Sequence, residues 1–185
     1  MSEALLQVTR ALDFAAHKHV HQRRKGATAE PYINHLADVA RLLAAATGGK
    51  DAVLVVAGLL HDTLEDTETA YDELVAEFGV EVAAVVAEVT DDKTLSSAER
   101  KRHQVAHAPR ASARARMLKL ADKTSNLHSI LSSPPVDWSR QRKQDYFRWA
   151  RDVVAGCRGV NDYLEREFDR VWRRGAADLG IEDAS

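Results

Sequence analysis

The chain has 185 residues, 45% of them hydrophobic and 29% charged, with a formal net charge of −2. These figures suit one globular domain with a substantial core, and they exclude a disordered chain or a dedicated nucleic-acid binder with a strongly basic face. Cys157 is the only cysteine, so no internal disulfide can form and a reducing, cytoplasmic setting is expected.

The N-terminal stretch MSEALLQVTRALDF is too acidic and too amphipathic for a secretory leader. Its apolar residues Leu5, Leu6, Val8, Ala11, Leu12, Ala15 and Ala16 recur at helical spacing, which predicts a helix over 3–21. The segment RRKGATAEP interrupts the pattern, and a second helix is predicted over 34–47, opened by His35. After TGGKD a third helix, 51–64, begins on the run AVLVVAGLL, far too short for a membrane span. That run alone could be a buried strand, but no second β-branched run exists to pair with it. Further helices are predicted over 70–78, 80–90, 95–107, 111–130, 137–156 and 160–173, broken at FGV, HAPRAS and SSPPVD. The expectation is an all-α single domain spanning 1–185, a bundle of roughly nine helices with its core over 4–170, without internal repeats.

The chemistry concentrates in AGLLHDTLEDT, residues 57–67. An apolar run stops at His61, and Asp62, Glu65 and Asp66 follow at once. On a helix, residues four apart share a face, so His61 lies with Glu65 and Asp62 with Asp66. Acids at a helix C-terminus oppose its partial negative charge and need compensation. A histidine beside an aspartate offers one nitrogen and one oxygen donor, a mixed set suited to a divalent metal of intermediate softness. His35 can contribute from a second helix. So can Asp122, set among Leu118, Leu120 and Ala121 with Lys119 and Asn126 on its face. Each feature has a plain alternative: a surface His-Asp pair, a helix-end histidine, or a buried ion pair of Asp122 with Lys119 or Lys123. The conjunction of these acids beside apolar packing is what points to a bound cation.

Five segments recur in a recognisable order: RRKGATAEPYINH, LLHDTLEDT, EVTDDKTL with ERKR, KLADKTSNL and WSRQRKQDYFRWA. Together they resemble the HD superfamily of metal-dependent phosphohydrolases. More narrowly they resemble the hydrolase domain of RelA/SpoT-type alarmone enzymes, in the stand-alone form of the small alarmone hydrolases. No synthetase, TGS or ACT-like region follows, so the resemblance implies a hydrolase only. It implies that His35, His61, Asp62 and Asp122 hold one metal ion, usually manganese, with Glu65 and Asp66 as catalytic acids. The implied substrate is (p)ppGpp, a small-molecule nucleotide whose 3′-diphosphate leaves as pyrophosphate. Arg24 and Lys25 would flank the nucleotide, with the base against the arginine, and Tyr32 and Asn126 would meet the ribose. Lys119 joins this substrate-contact set. Arg142, Tyr146 and Trp138 either close over the distal phosphates or base, or belong to an amphipathic helix whose Phe147 and Trp149 enter the core.

Two departures stand out. Leu36 stands where many relatives have proline, and Ser96 and Ser97 occupy a stretch where the animal relative is expected to carry a proline and a lysine, so the resemblance does not carry one phosphate contact over. The same site could act instead on (p)ppApp or on the 2′-phosphate of NADPH. A non-catalytic nucleotide-binding regulator is a third reading, against which the intact HDxxED speaks. His17 with His21 and His103 with His107 have chelating spacing but read as solvated helix faces, as does ERKRH, and Cys157 has no nucleophile's setting. Neither a nucleic-acid nor a membrane partner is expected, and oligomeric state is not legible.

Overall fold

The computed structural model describes residues 2–182. In chain order the helices are α1 (Glu3–Lys18), α2 (Ile33–Thr47), α3 (Ala52–Leu60), the single turn α4 (Thr63–Asp66), α5 (Tyr71–Phe78) and α6 (Val80–Val89). Then come α7 (Ser97–His107), a 3₁₀ turn over Ala108–Arg110, α8 (Ala113–Ser132), α9 (Arg140–Ala155) and α10 (Asp162–Leu179). Nine of these run eight residues or longer, and the described residues contain two isolated bridges but no strand. None of the helices among them is long and apolar enough to cross a membrane.

Local chemistry sets most helix starts. Ser2, Asp51, Ser96, Ser112, Ser139 and Asn161 each cap a helix by accepting a first-turn backbone N–H through the side chain. At Ser96 the bond is reciprocal, because Glu99 reaches back to the Ser96 amide. One of the two departing serines therefore has a structural use: it starts α7. Leu36, the other departure, is fully buried in the core.

Helix α3 is apolar on every side and packs against α1, α2 and α6. Its Leu54 and Leu60 are wholly buried, as are Leu43 of α2 and Leu118 and Leu120 of α8. Each such leucine contributes about 1.5–3 kcal/mol of hydrophobic stabilisation. Gly58 lets α2 and α3 approach closely, since a Cβ there would lie 2.6 Å from Leu43 Cδ1. That close crossing brings the first turn of α2, with His35, against the end of α3, with His61.

Several predicted boundaries move, for identifiable reasons. The predicted helix over 51–64 breaks after Leu60. His61 Nδ1 bonds the Gly58 carbonyl at 2.9 Å and Thr63 Oγ1 donates to the Leu60 carbonyl at 2.6 Å, so side chains take acceptors that a continuing helix would use. Beyond the break, Asp66 N donates to the Asp62 carbonyl at 2.8 Å and closes the single turn α4. Helix α1 stops at Lys18 rather than 21, because the chain turns back with Gln22 N donating to His19 O at 2.9 Å. Helix α10 outruns its predicted end at 173: Val171, Trp172, Gly175 and Ala176 stay buried, and Gly180 ends it in a left-handed conformation.

The basic loop before α2 is pinned at both ends. Arg24 N donates to Glu30 O at 2.8 Å and Tyr32 N to Gln22 O at 3.1 Å. Gly26 bridges to Pro135, and a Cβ on it would collide with the Ser133 carbonyl. The loop thus lies against the end of α8 rather than free in solvent.

Candidate active site

Three elements deliver four polar side chains to one point. His35 comes from the first turn of α2, His61 and Asp62 from the break after α3, and Asp122 from the middle of α8. His61 Nε2 lies 3.0 Å from Asp62 Oδ2 and 3.8 Å from Asp122 Oδ1. His35 Nε2 lies 3.7 Å from the same Asp62 oxygen and 3.3 Å from Asp122 Oδ1. One donor atom each from His35, His61 and Asp62 falls within 4.8 Å of the others, and Asp122 closes the set through its distances to both imidazoles.

The far sides of these groups are held. His35 Nδ1 bonds Ser125 Oγ at 3.0 Å and His61 Nδ1 bonds the Gly58 carbonyl at 2.9 Å, which turns both Nε2 atoms inward. Tyr32 donates its hydroxyl to Asp62 Oδ2 at 2.6 Å. Asp122 accepts from Lys123 Nζ at 2.9 Å on one oxygen and from Asn126 Nδ2 at 2.6 Å on the other. His61 Nε2 is buried with no hydrogen-bond partner of good geometry, although Asp62 Oδ2 stands 3.0 Å away. Two inward imidazole nitrogens, two carboxylates and an unsatisfied buried nitrogen are the donor set a divalent cation of intermediate softness takes. The residues present fit such an ion.

Electrostatics agree. Burial would lower the proton affinity of His61, but Asp62 and Asp122 outweigh it and hold the imidazole up at about 9. Burial lowers His35, against the pull of Asp122, so a proton in the ion-free cluster sits on His61. Burial would raise both aspartates, yet His61 keeps Asp62 well below the usual carboxylate range, and Lys123 does the same for Asp122.

His61, Asp62 and Asp122 open on a pocket of 150 Å³, also lined by Glu65, Asp91 and Lys119. A larger cavity of 400 Å³ adjoins it, and Tyr32, Glu65 and Asn126 line both. Its walls include Arg24, Lys25, Trp138 and Tyr146. Arg24 Nη2 donates to Asn126 Oδ1 at 3.0 Å, and its guanidinium stands 5.7 Å from the Tyr32 ring centre. Glu65 accepts from Asp91 N at 3.3 Å. Burial raises its carboxyl above the ordinary 4.5, and the Asp91, Asp62 and Asp66 carboxylates add to that despite the opposing Asp91 amide. Asp66 is differently placed, with Lys93 Nζ 2.9 Å from one oxygen and Gln22 Nε2 2.8 Å from the other.

A family model described as the HD domain matches residues 11–149. The chain belongs to the HD-domain family. It is 48% identical over 172 residues to the Xenopus tropicalis protein named guanosine-3′,5′-bis(diphosphate) 3′-pyrophosphohydrolase MESH1, covering 93% of this chain and 96% of that one. The human protein of the same name is 47% identical over 174 residues, covering 94% and 97%. A solved structure described as "A metazoan ortholog of SpoT hydrolyzes ppGpp and plays a role in starvation responses" superposes with a TM-score of 0.87 at 40% identity, over 91% of this chain and 94% of that one.

Within this HD domain, the four residues expected at the metal converge, and Glu65 faces the same pocket. Arg24, Lys25, Tyr32, Asn126 and Tyr146 line the adjoining cavity. Two expected contacts differ. Lys119 Nζ donates to the Val89 carbonyl at 2.8 Å, and the residue lines the 150 Å³ pocket and a separate 240 Å³ cavity rather than the 400 Å³ one. Arg142 is exposed, its guanidinium 4.6 Å from the Trp138 ring centre. In the C-terminal motif Phe147 is core and Trp149 packs partly buried against it, while Trp138 and Tyr146 line the cavity. Burial pushes the Tyr146 hydroxyl up to about 12. Residues missed from sequence are Asp91, Lys93, Gln22 and His19. His19 is buried between the exposed His17 and His21, bonds Gln22 and stacks on Tyr32 at 5.2 Å. The motif EVTDDKTL was the only signal for Asp91 and Lys93; nothing local marked His19 or Gln22.

Proposed function

We propose that this HD domain is a manganese-dependent hydrolase that removes the 3′-diphosphate of guanosine 3′,5′-bis(diphosphate) as pyrophosphate, leaving the 5′-phosphorylated nucleoside. The observation that carries the reading is the convergence of His35, His61, Asp62 and Asp122, the last three lining a pocket that shares Glu65 with a cavity lined by Arg24 and Lys25. The printed activity of the Xenopus and human relatives supports the substrate. The lone buried Cys157, its thiol pushed up to about 11 by burial, fits a reducing cytoplasm and no redox role.

His35, His61, Asp62 and Asp122 would hold one divalent ion; when bound, it polarises a phosphoryl oxygen and acidifies a water to near neutral pH. The remaining work falls to the chain. Tyr32 and Asn126 fix the two carboxylates by hydrogen bonds, so neither swings toward incoming phosphate. Glu65, at the seam of pocket and cavity with a raised proton affinity, accepts the proton of the attacking water. The water oxygen bonds to the proximal 3′-phosphorus, the bond from that phosphorus to the ribose 3′-oxygen breaks, and the ribose oxygen leaves with the electron pair and takes up a proton. Asp66 holds the basic loop through Gln22 and supports the geometry from one turn beyond Asp62. Arg24 offers a planar face to the base.

A parallel turnover assay tests the substrate. Guanosine 3′,5′-bis(diphosphate), its adenosine counterpart and NADPH are supplied to the manganese-loaded protein, with pyrophosphate and phosphate read separately. The highest kcat/KM is expected for the guanosine compound with pyrophosphate as product. A higher value for either of the others overturns the assignment.

A further inference from the structure

The basic groups around the 400 Å³ cavity differ in how firmly they are committed. Arg23 Nη1 is held by the carbonyls of Val20 and Gln22, each at 3.2 Å. Arg24 is bound to Asn126, and Arg100 Nη1 donates to the Leu95 carbonyl at 3.1 Å. Lys93 is different. Its ammonium pairs with Asp66 at 2.9 Å, and its side chain is 52% exposed. An ion pair this open to water contributes little and exchanges partners readily. Helix α7, which follows, opens on the uncharged Ser96 and Ser97, and the first cation along it, Arg100, is tied to the Leu95 carbonyl and lies 3.9 Å from Asp91.

The location is as specific as the lability. Asp66 lies one backbone hydrogen bond from Asp62, which faces the ion pocket, and Lys93 lines the adjoining cavity. The ammonium therefore stands in the larger cavity beside Glu65 and Asp66, on the side to which a phosphate held at the ion site would carry a second phosphate outward. We propose that Lys93 distinguishes a 3′-diphosphate from a 3′-monophosphate: it leaves Asp66 and binds the terminal phosphate of the diphosphate that departs. This deepens the reading above and rests on it for the substrate, not for the anion preference. No covalent step is added; the ammonium exchanges a carboxylate for a phosphate oxygen, and Asp66 keeps Gln22.

The test uses the full chain loaded with manganese, as wild type, Lys93→Ala and Lys93→Arg. Binding of inorganic pyrophosphate and inorganic phosphate is measured by calorimetry, and kcat and KM on guanosine 5′-diphosphates bearing a 3′-diphosphate or a 3′-monophosphate. Wild type is expected to prefer pyrophosphate. Lys93→Ala should lose roughly 10- to 100-fold of that preference, the size of one charge-assisted contact, and Lys93→Arg should restore most of it. The KM for the 3′-diphosphate should rise in parallel. A merely structural tie between Lys93 and Asp66 would weaken both anions equally, and that result overturns the proposal. So does an unchanged preference in Lys93→Ala. A wild type that prefers pyrophosphate through Lys93 yet hydrolyses neither nucleotide would sink the proposed activity and leave Lys93 as the anion selector.

Discussion

Replacing Lys123 by methionine probes the charge balance of the cluster. Lys123 Nζ sits 2.9 Å from Asp122 Oδ2, its side chain is 5% exposed, and it lies 4.5 Å from the Trp149 ring centre. Without an ion, the Asp62 and Asp122 carboxylates are balanced by Lys123 and by the proton on His61. Methionine keeps most of the stem and its contact with Trp149 but removes the charge, leaving one carboxylate uncompensated in a buried site. Breaking a buried pair in this way costs about 3–5 kcal/mol. For a domain of this length each kcal/mol moves Tm by roughly 2–4 °C, so the ion-free variant should melt roughly 6–20 °C below wild type. With a divalent ion in place, the ion supplies the missing positive charge, and the deficit should shrink to less than half. The ion itself should bind more tightly once a neighbouring cation is gone. Calorimetric melting of both proteins in chelator and in manganese measures all of this. An equal Tm deficit under both conditions would refute the reasoning, because the cation would then not be sharing Asp122 with Lys123.

Glu65→Gln should keep its manganese yet lose turnover by about 10²–10⁴-fold, the contribution of a general base, whereas Asp66→Asn should act largely through KM by loosening Gln22 and Lys93; wild-type kcat in Glu65→Gln ends the assignment. Because Glu65 is raised above 4.5, its carboxylate form is lost as pH falls through that raised value. The acid limb of kcat/KM should therefore lie above pH 4.5, and Asp91→Asn, by removing a neighbouring negative charge, should move it downward; an upward or absent shift in the profile contradicts this. Arg24→Lys preserves charge but not the planar face, so KM should rise, and unaltered KM and kcat would remove Arg24 from the site.

Much of this was legible in the sequence because it is local. Periodicity gave the long helices, and the breaking segments between them placed most of their starts within a few positions. The convergence of the proposed cation ligands was readable in part because His61 and Asp62 interrupt an apolar run and Asp122 is embedded in another, which no packing argument accounts for. What failed was non-local. The break after Leu60 was hidden because AVLVVAGLL continues a helical pattern, while the side-chain bonds of His61 and Thr63 to its carbonyls leave no trace in periodicity. Lys119 shares the Asp122 face as spacing demands, but its long stem carries Nζ to Val89 on another helix. Gln22 and Asp66 are bonded across 44 residues of chain, and His19 reaches the site through Tyr32. Helical spacing orders residues on one element; it is silent about which loops three elements will bring together.

The most direct test of the account is a product count on guanosine 3′,5′-bis(diphosphate). The protein is stripped with chelator, reconstituted with manganese, and the released anions are separated and quantified against nucleotide consumed. The account predicts one pyrophosphate per nucleotide after reconstitution and none in the stripped protein. Orthophosphate as the released product, or undiminished turnover in chelator, would contradict it.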